Sequence, residues 1–172
     1  MNLVLIGYRG TGKSTVAREI AETLRWPWYD SDAQIESRAG KSIAEIFSDE
    51  GEPAFRDWES LVVADLAQRP RCVLALGGGA VMRPANREAL ARQGKIVWLQ
   101  ASPETLWQRI QQDHASAERR PNLTTQGGIT EIIATLDARN PIYRECAQLE
   151  VDTQGKTPQQ VADAILAQWD LG

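Results

Sequence analysis

Near the start of the chain, Gly7-Tyr8-Arg9-Gly10-Thr11-Gly12-Lys13-Ser14 follows the pattern G-x-x-x-x-G-K-[ST]. Each residue type there has a chemical reason. Glycines let the backbone curl until successive N–H groups point at phosphate oxygens. A helix beginning near Lys13 adds the positive end of its dipole. Lys13 can reach the β- and γ-phosphates, and the Ser14 hydroxyl can ligate Mg²⁺. The expected ATP-binding set at this loop is Gly10, Thr11, Gly12, Lys13, Ser14 and Thr15. The flanks agree: an apolar run, Leu3-Val4-Leu5-Ile6, enters the motif, and a stretch with Val16, Ile20 and Leu24 on one helical face leaves it. A chance glycine-rich turn would not carry that strand and that helix in register.

A phosphate loop alone does not name a reaction. A GTPase switch would need an N-K-x-D string to read guanine, and none occurs. Such a switch also tends to carry an Asp-Gly turn after the second clear apolar strand, where this chain has Leu76-Gly77-Gly78-Gly79. A nucleotide-driven motor normally needs more than one small domain and a Walker-B acidic pair, and neither is visible. A small kinase of the nucleoside-monophosphate-kinase type, with arginines supplied by its own lid, remains.

The rest of the chain must position this loop. Short apolar runs at 3–6, 28–29, 72–76, 95–99 and 149–152 alternate with amphipathic stretches at 13–25, 33–38, 43–49, 53–68, 86–93, 103–112, 130–146 and 158–169. Strands alternating with helices predict a central parallel five-stranded sheet in a three-layer α/β/α arrangement. Ser102 reads as an N-cap and Pro103 as the first turn of its helix. From about 114 to 128 the periodicity stops; this polar stretch carries Arg119-Arg120-Pro121 and ends in Gly127-Gly128, which predicts a mobile lid. No repeat or linker divides the chain, so residues 1–172 are expected to form one domain.

Composition excludes several classes. At 42% hydrophobic and 24% charged, the chain reads as an ordinary globular protein. No run of about 18 apolar residues exists to span a membrane. The start has no basic region, and it reads as a strand rather than a secretory signal. A net charge of −4 disfavours nucleic acid as partner. Cys72 and Cys146 form no CxxC pair and read as reduced cysteines of a cytoplasmic protein, while the lone His114 leaves no basis for a transition-metal site.

An ordered series then points to one family. It comprises the phosphate loop, Asp30-Ser31-Asp32 closing the second strand, Phe55-Arg56 with Glu59, and Gly77-Gly78-Gly79. Arg120-Pro121-Asn122-Leu123 and Arg139-Asn140-Pro141 with Tyr143 complete it. In order and spacing this series resembles the shikimate kinases, over residues 3 to about 158. The resemblance implies a P-loop kinase fold and transfer of the γ-phosphoryl group of ATP to the 3-hydroxyl of shikimate, in the pathway to aromatic amino acids. Mg²⁺ is the implied cofactor, and a monomer binding only small molecules is the implied state.

It also implies roles. Lys13, Asp32 and Arg120 are the catalytic set. Arg56 and Arg139 are planar forks suited to the shikimate carboxylate. Asp32 accepts from ring hydroxyls, including the attacking one, and Gly78 and Gly79 let the ring approach the backbone. Asp30 stands with Ser14 on the metal side, Arg120 closes on the transferring group from the lid, Arg109 stacks on adenine, and Lys156 adds a weaker adenine contact. Several of these positions have a plainer alternative. Arg56 can pair with Asp57 or Glu59 at the surface, Arg139 can cap its helix, and Asp30 can be a turn residue. Arg109 can form an i,i+4 ion pair, and Lys156 and the six tryptophans can serve only as surface or packing. A gluconate kinase is the neighbouring enzymatic reading, and a nucleotide-responsive module without activity is the non-enzymatic one.

Overall fold

A computed structural model describes residues 1–113 and 127–169. Five strands form one all-parallel sheet: β1 (Asn2–Ile6), β2 (Trp28–Asp30), β3 (Val73–Ala75), β4 (Gly94–Gln100) and β5 (Leu149–Asp152). Their spatial order is β2-β3-β1-β4-β5. Eight helices lie among the described residues: α1 (Lys13–Leu24), α2 (Ser31–Ala39), α3 (Ile43–Glu50), α4 (Glu52–Gln68), α5 (Pro84–Gln93), α6 (Pro103–Gln112), α7 (Gly128–Cys146) and α8 (Pro158–Leu166). The expected α/β/α layering is therefore present.

Every residue of β1 is buried, as a central parallel strand covered on both faces requires. Alternation along the strands splits the core in two. Val4, Ile6, Leu74, Leu76, Ile96 and Trp98 face α2 to α5, where they meet Ile35, Ile46, Phe55, Val62 and Leu66. Leu3, Leu5, Val73, Val97 and Leu99 face α1 and α8, against Val16, Ile20, Val161 and Ile165. Each such fully buried aliphatic side chain contributes about 1.5–3 kcal/mol relative to exposure. A smaller cluster of Tyr8, Leu106, Ile110 and Ile132 packs α6 against α7 beneath the phosphate loop.

The register decides where a ligand can sit. Leu3, Val4 and Leu5 pair with Val73, Leu74 and Ala75 on one side, while Leu5 and Ile6 pair with Val97 and Trp98 on the other. The Leu76 N–H donates to the Leu5 carbonyl at 3.1 Å, so the loops after β3 and β1 leave the sheet side by side. In open parallel sheets the ligand crevice lies outside the carboxyl ends of the strands, where the order reverses.

Boundaries moved in physically simple ways. Asp32 was expected at the end of a strand and instead lies in the first turn of α2, because Asp30 caps that helix by accepting from the N–H groups of Asp32 (2.9 Å) and Ala33 (3.2 Å). The expected lid falls mostly on residues 114–126, outside the described residues; Gly128 opens α7. Pro141 lies inside α7, so Arg139 is not at a helix end and does not cap it. Cys72 and Cys146 are free thiols, and burial pushes the Cys72 thiol up to about 11. No helix among the described residues is long and apolar enough to cross a membrane.

Candidate active site

Gly7, Gly10 and Gly12 adopt φ of +138°, +86° and +90°. At Gly7 a side chain is excluded twice, by that dihedral and because a Cβ would collide with the Leu99 carbonyl oxygen. The loop so formed hands over to α1, with Gly12 as the residue before its first turn. Lys13 is only 9% exposed, and its ammonium donates to the carbonyls of Gly7 (2.8 Å) and Tyr8 (2.9 Å), which holds the charge against the loop.

The Ser14 hydroxyl donates to Asp30 Oδ2 at 2.5 Å. Asp30 thus caps α2 with one oxygen and faces the phosphate loop with the other, so the turn-residue and metal-side readings are not exclusive. Among the described residues no three His, Cys, Asp or Glu side chains converge as a metal cage. The two hard oxygens of Ser14 and Asp30 fit a cation that takes few protein ligands and keeps its waters, as Mg²⁺ does.

The opposite wall comes from distant segments. The Gly77 N–H donates to the buried Ser31 hydroxyl at 2.9 Å, and the buried Tyr143 hydroxyl donates to the Gly78 carbonyl at 2.5 Å. These two ties hold the glycine loop between α2 and α7. A Cβ on Gly79 would occupy the space of the Arg56 guanidinium, and one on Gly78 would lie 3.1 Å from Arg139 Nη1. The structure therefore brings Arg56, Gly78, Gly79 and Arg139 together, two forks over one bare stretch of backbone.

The forks differ. Arg56 donates to Glu59 at 2.8 Å, a carboxylate only 1% exposed, and to Glu52 at 3.3 Å. Asp57, the other candidate partner, takes Arg83 instead at 2.8 Å. So Arg56 is both ion-paired and set against Gly79. For Arg139 no hydrogen bond or ion pair occurs among the described residues.

A cavity of about 530 Å³ runs along the phosphate loop to Gly77 and Gly78; Trp28, Asp30, Asp32, Arg109 and Asp113 also line it, whereas Arg56, Gly79 and Arg139 do not. Among the described residues Arg109 makes no ion pair. Its guanidinium donates to the Gly10 carbonyl (3.2 Å), the Thr153 hydroxyl (3.0 Å) and the Thr153 carbonyl (3.3 Å), which clips the phosphate loop to the turn after β5. Lys156 is exposed on that turn and donates to the Asp152 carbonyl at 2.8 Å. Arg120 lies outside the described residues.

Sequence reasoning missed Ser31, Thr153 and the cavity face of Trp28, which is 37% exposed and lines the pocket instead of only packing. Ser31 carried a signal in its place between two aspartates. Thr153 carried none, because only the fold brings it to Arg109.

A family model described as shikimate kinase matches residues 9–170. A shikimate kinase of Rhodopirellula baltica is 44% identical over 165 residues, 96% of this chain and 88% of the relative. One from Pseudomonas fluorescens is 46% identical over 165 residues, 96% and 94% of the two chains. Among solved structures, the shikimate kinase from Acinetobacter baumannii in complex with shikimate superposes with a TM-score of 0.91 at 37% identity, covering 97% of this chain and 91% of that one.

Proposed function

Because the chain belongs to the shikimate kinase family, we propose that it transfers the γ-phosphoryl group of ATP to the 3-hydroxyl of shikimate, with the acceptor seated on Gly78 and Gly79. The observation that carries this reading is the pair of guanidinium forks over bare glycine backbone at the C-terminal edge of the sheet. A ring bearing a carboxylate is well matched by planar guanidinium donors and by a floor without side chains.

Each residue then has a task. Lys13 leaves the carbonyls of Gly7 and Tyr8 for the β/γ-phosphate oxygens, and the loop N–H groups take the rest of the chain. Arg56, already oriented by Glu59, and Arg139 bind the carboxylate in the two-pronged geometry that a lysine could not give. Asp32 accepts the hydrogen bond of the attacking hydroxyl, directs its lone pair at the γ-phosphorus and can take its proton. Ser14 and Asp30 would hold Mg²⁺, which when bound neutralises charge on the β- and γ-phosphates. Arg109, fixed to Gly10 and Thr153, offers its outer face to adenine, with Lys156 nearby on the same turn. Arg120 is assigned to the developing charge on the transferring group.

An ADP-release assay over a panel of carboxylated polyols tests the assignment. Release with shikimate and background rates with gluconate are expected. Faster turnover of gluconate would overturn it.

A further inference from the structure

Four positions of the phosphate loop are not specified by its motif, and the structure disposes of three of them. Tyr8 packs under the loop against Leu106, Ile110 and Ile132. Gly10 serves the turn, and the buried Thr11 hydroxyl donates back to the Tyr8 carbonyl at 2.8 Å. Arg9 alone sends a long polar side chain into the cavity, where it lines the wall with Lys13, Asp32 and Gly78. Its Nε is buried and has no hydrogen-bond partner among the described residues, whereas buried polar groups in folded proteins are as a rule hydrogen-bonded. The Lys13 ammonium rests on the Tyr8 carbonyl at 2.9 Å, so Arg9 leaves the backbone beside the lysine charge. Arg9 thus shares a cavity wall with Lys13 and Asp32, a wall to which Arg56 and Arg139 do not contribute.

We infer that Arg9 is a further phosphate-binding residue: its guanidinium donates to oxygens of the γ-phosphoryl group on the side that faces Asp32. In the transfer, the bond from the γ-phosphorus to the β,γ-bridging oxygen breaks and a bond to the acceptor oxygen forms. ADP leaves with the bond's electron pair, and the hydroxyl proton passes to Asp32. Arg9 stays protonated throughout and only follows the charge. This inference rests on the kinase reading above, and its test does not need the acceptor.

Calorimetric titration of the purified chain with Mg·ATP and Mg·ADP, without acceptor, reads the contact directly. Arg9→Ala should weaken ATP about tenfold or more while ADP changes less than about twofold, because only ATP carries the γ-phosphate. Arg9→Lys should restore part of the ATP affinity, since it keeps the charge but not the fork. With shikimate added, kcat of Arg9→Ala should fall about tenfold to a hundredfold, and shikimate binding to the nucleotide-free protein should not change. Equal losses for ATP and ADP, no loss for either, or a loss confined to shikimate would each overturn the assignment. Should Arg9→Ala not fold, Arg9→Lys and Arg9→Gln give the same ATP-to-ADP ratio on intact protein. If the wild-type chain leaves shikimate untouched, the shikimate reading fails, while that ratio still decides the role of Arg9.

Discussion

The phosphate-binding part of the proposed site comes from one stretch, Gly7 to Thr15, while the acceptor part is gathered from α2, α4, the loop after β3, and α7. The first is shaped mainly by backbone dihedrals and by the start of α1, with Arg109 tying Gly10 to Thr153 from outside the loop. The second is held by ties between segments 46 and 65 residues apart, Ser31 to Gly77 and Tyr143 to Gly78. Within it the two forks differ again: Arg56 is oriented by buried Glu59, whereas Arg139 makes no hydrogen bond or ion pair among the described residues. On the proposed assignment, the phosphate loop depends mostly on its own backbone, whereas the acceptor wall depends on contacts distant in sequence.

The comparison breaks most visibly at Lys13. Lys13→Met should lower kcat about a thousandfold or more, because a cation aimed at the β/γ-phosphates is gone. The fold should hold, since methionine keeps most of the side-chain volume, although the Gly7 and Tyr8 carbonyls lose a donor. Steady-state kinetics and a thermal melt check both halves of this; a kcat within about tenfold of wild type would remove the lysine from the phosphates.

A methyl group on the floor comes next. Gly79→Ala places a Cβ where the Arg56 guanidinium lies. A displaced fork should reduce kcat/KM for shikimate by about a hundredfold, the usual scale for a misplacement near 1 Å. KM for ATP should not move, and a variant that loses ATP and acceptor affinity equally would show the two halves to be coupled.

Truncating the forks separates their supports. Arg56→Ala strips buried Glu59 of an ion-pair partner at 2.8 Å, which should cost on the order of 3 kcal/mol. For a chain of this size that is roughly a 6–12 °C fall in Tm. Arg139→Ala should stay within about 0.5 kcal/mol in stability. Both should weaken the acceptor, and equal melting temperatures would mean that Glu59 does not orient Arg56.

The smallest effect belongs to Tyr143→Phe. Losing the hydroxyl leaves the Gly78 carbonyl without that donor, a cost of about 1–3 kcal/mol. The acceptor KM should rise several-fold at nearly constant ATP affinity.

This contrast also explains what could be read from the chain beforehand. Leu3 to Ser14 declares strand, loop and helix in consecutive residues, so the nucleotide half and the parallel sheet were legible without a structure. Arg56, Gly78, Gly79 and Arg139 were legible only as an ordered series resembling a family, because nothing in their spacing says that they meet. For Arg56 the ion-pair and substrate readings looked exclusive until the packing placed Glu59 under the same guanidinium that covers Gly79. Thr153 and the cavity face of Trp28 arise from tertiary placement alone. Asp32 was put on a strand because the capping of α2 by Asp30 is a contact of side chain to backbone that periodicity does not register.

The carboxylate clamp is the claim on which the acceptor assignment rests, and an analogue of shikimate lacking the carboxylate measures it directly. With that group gone, two partly buried guanidinium charges lose their shared partner, at about 3–5 kcal/mol, or roughly a few-hundred- to several-thousand-fold in kcat/KM. KM for ATP should be unchanged. If the analogue and shikimate are phosphorylated with similar kcat/KM, Arg56 and Arg139 do not clamp a carboxylate, and the acceptor half has been misread.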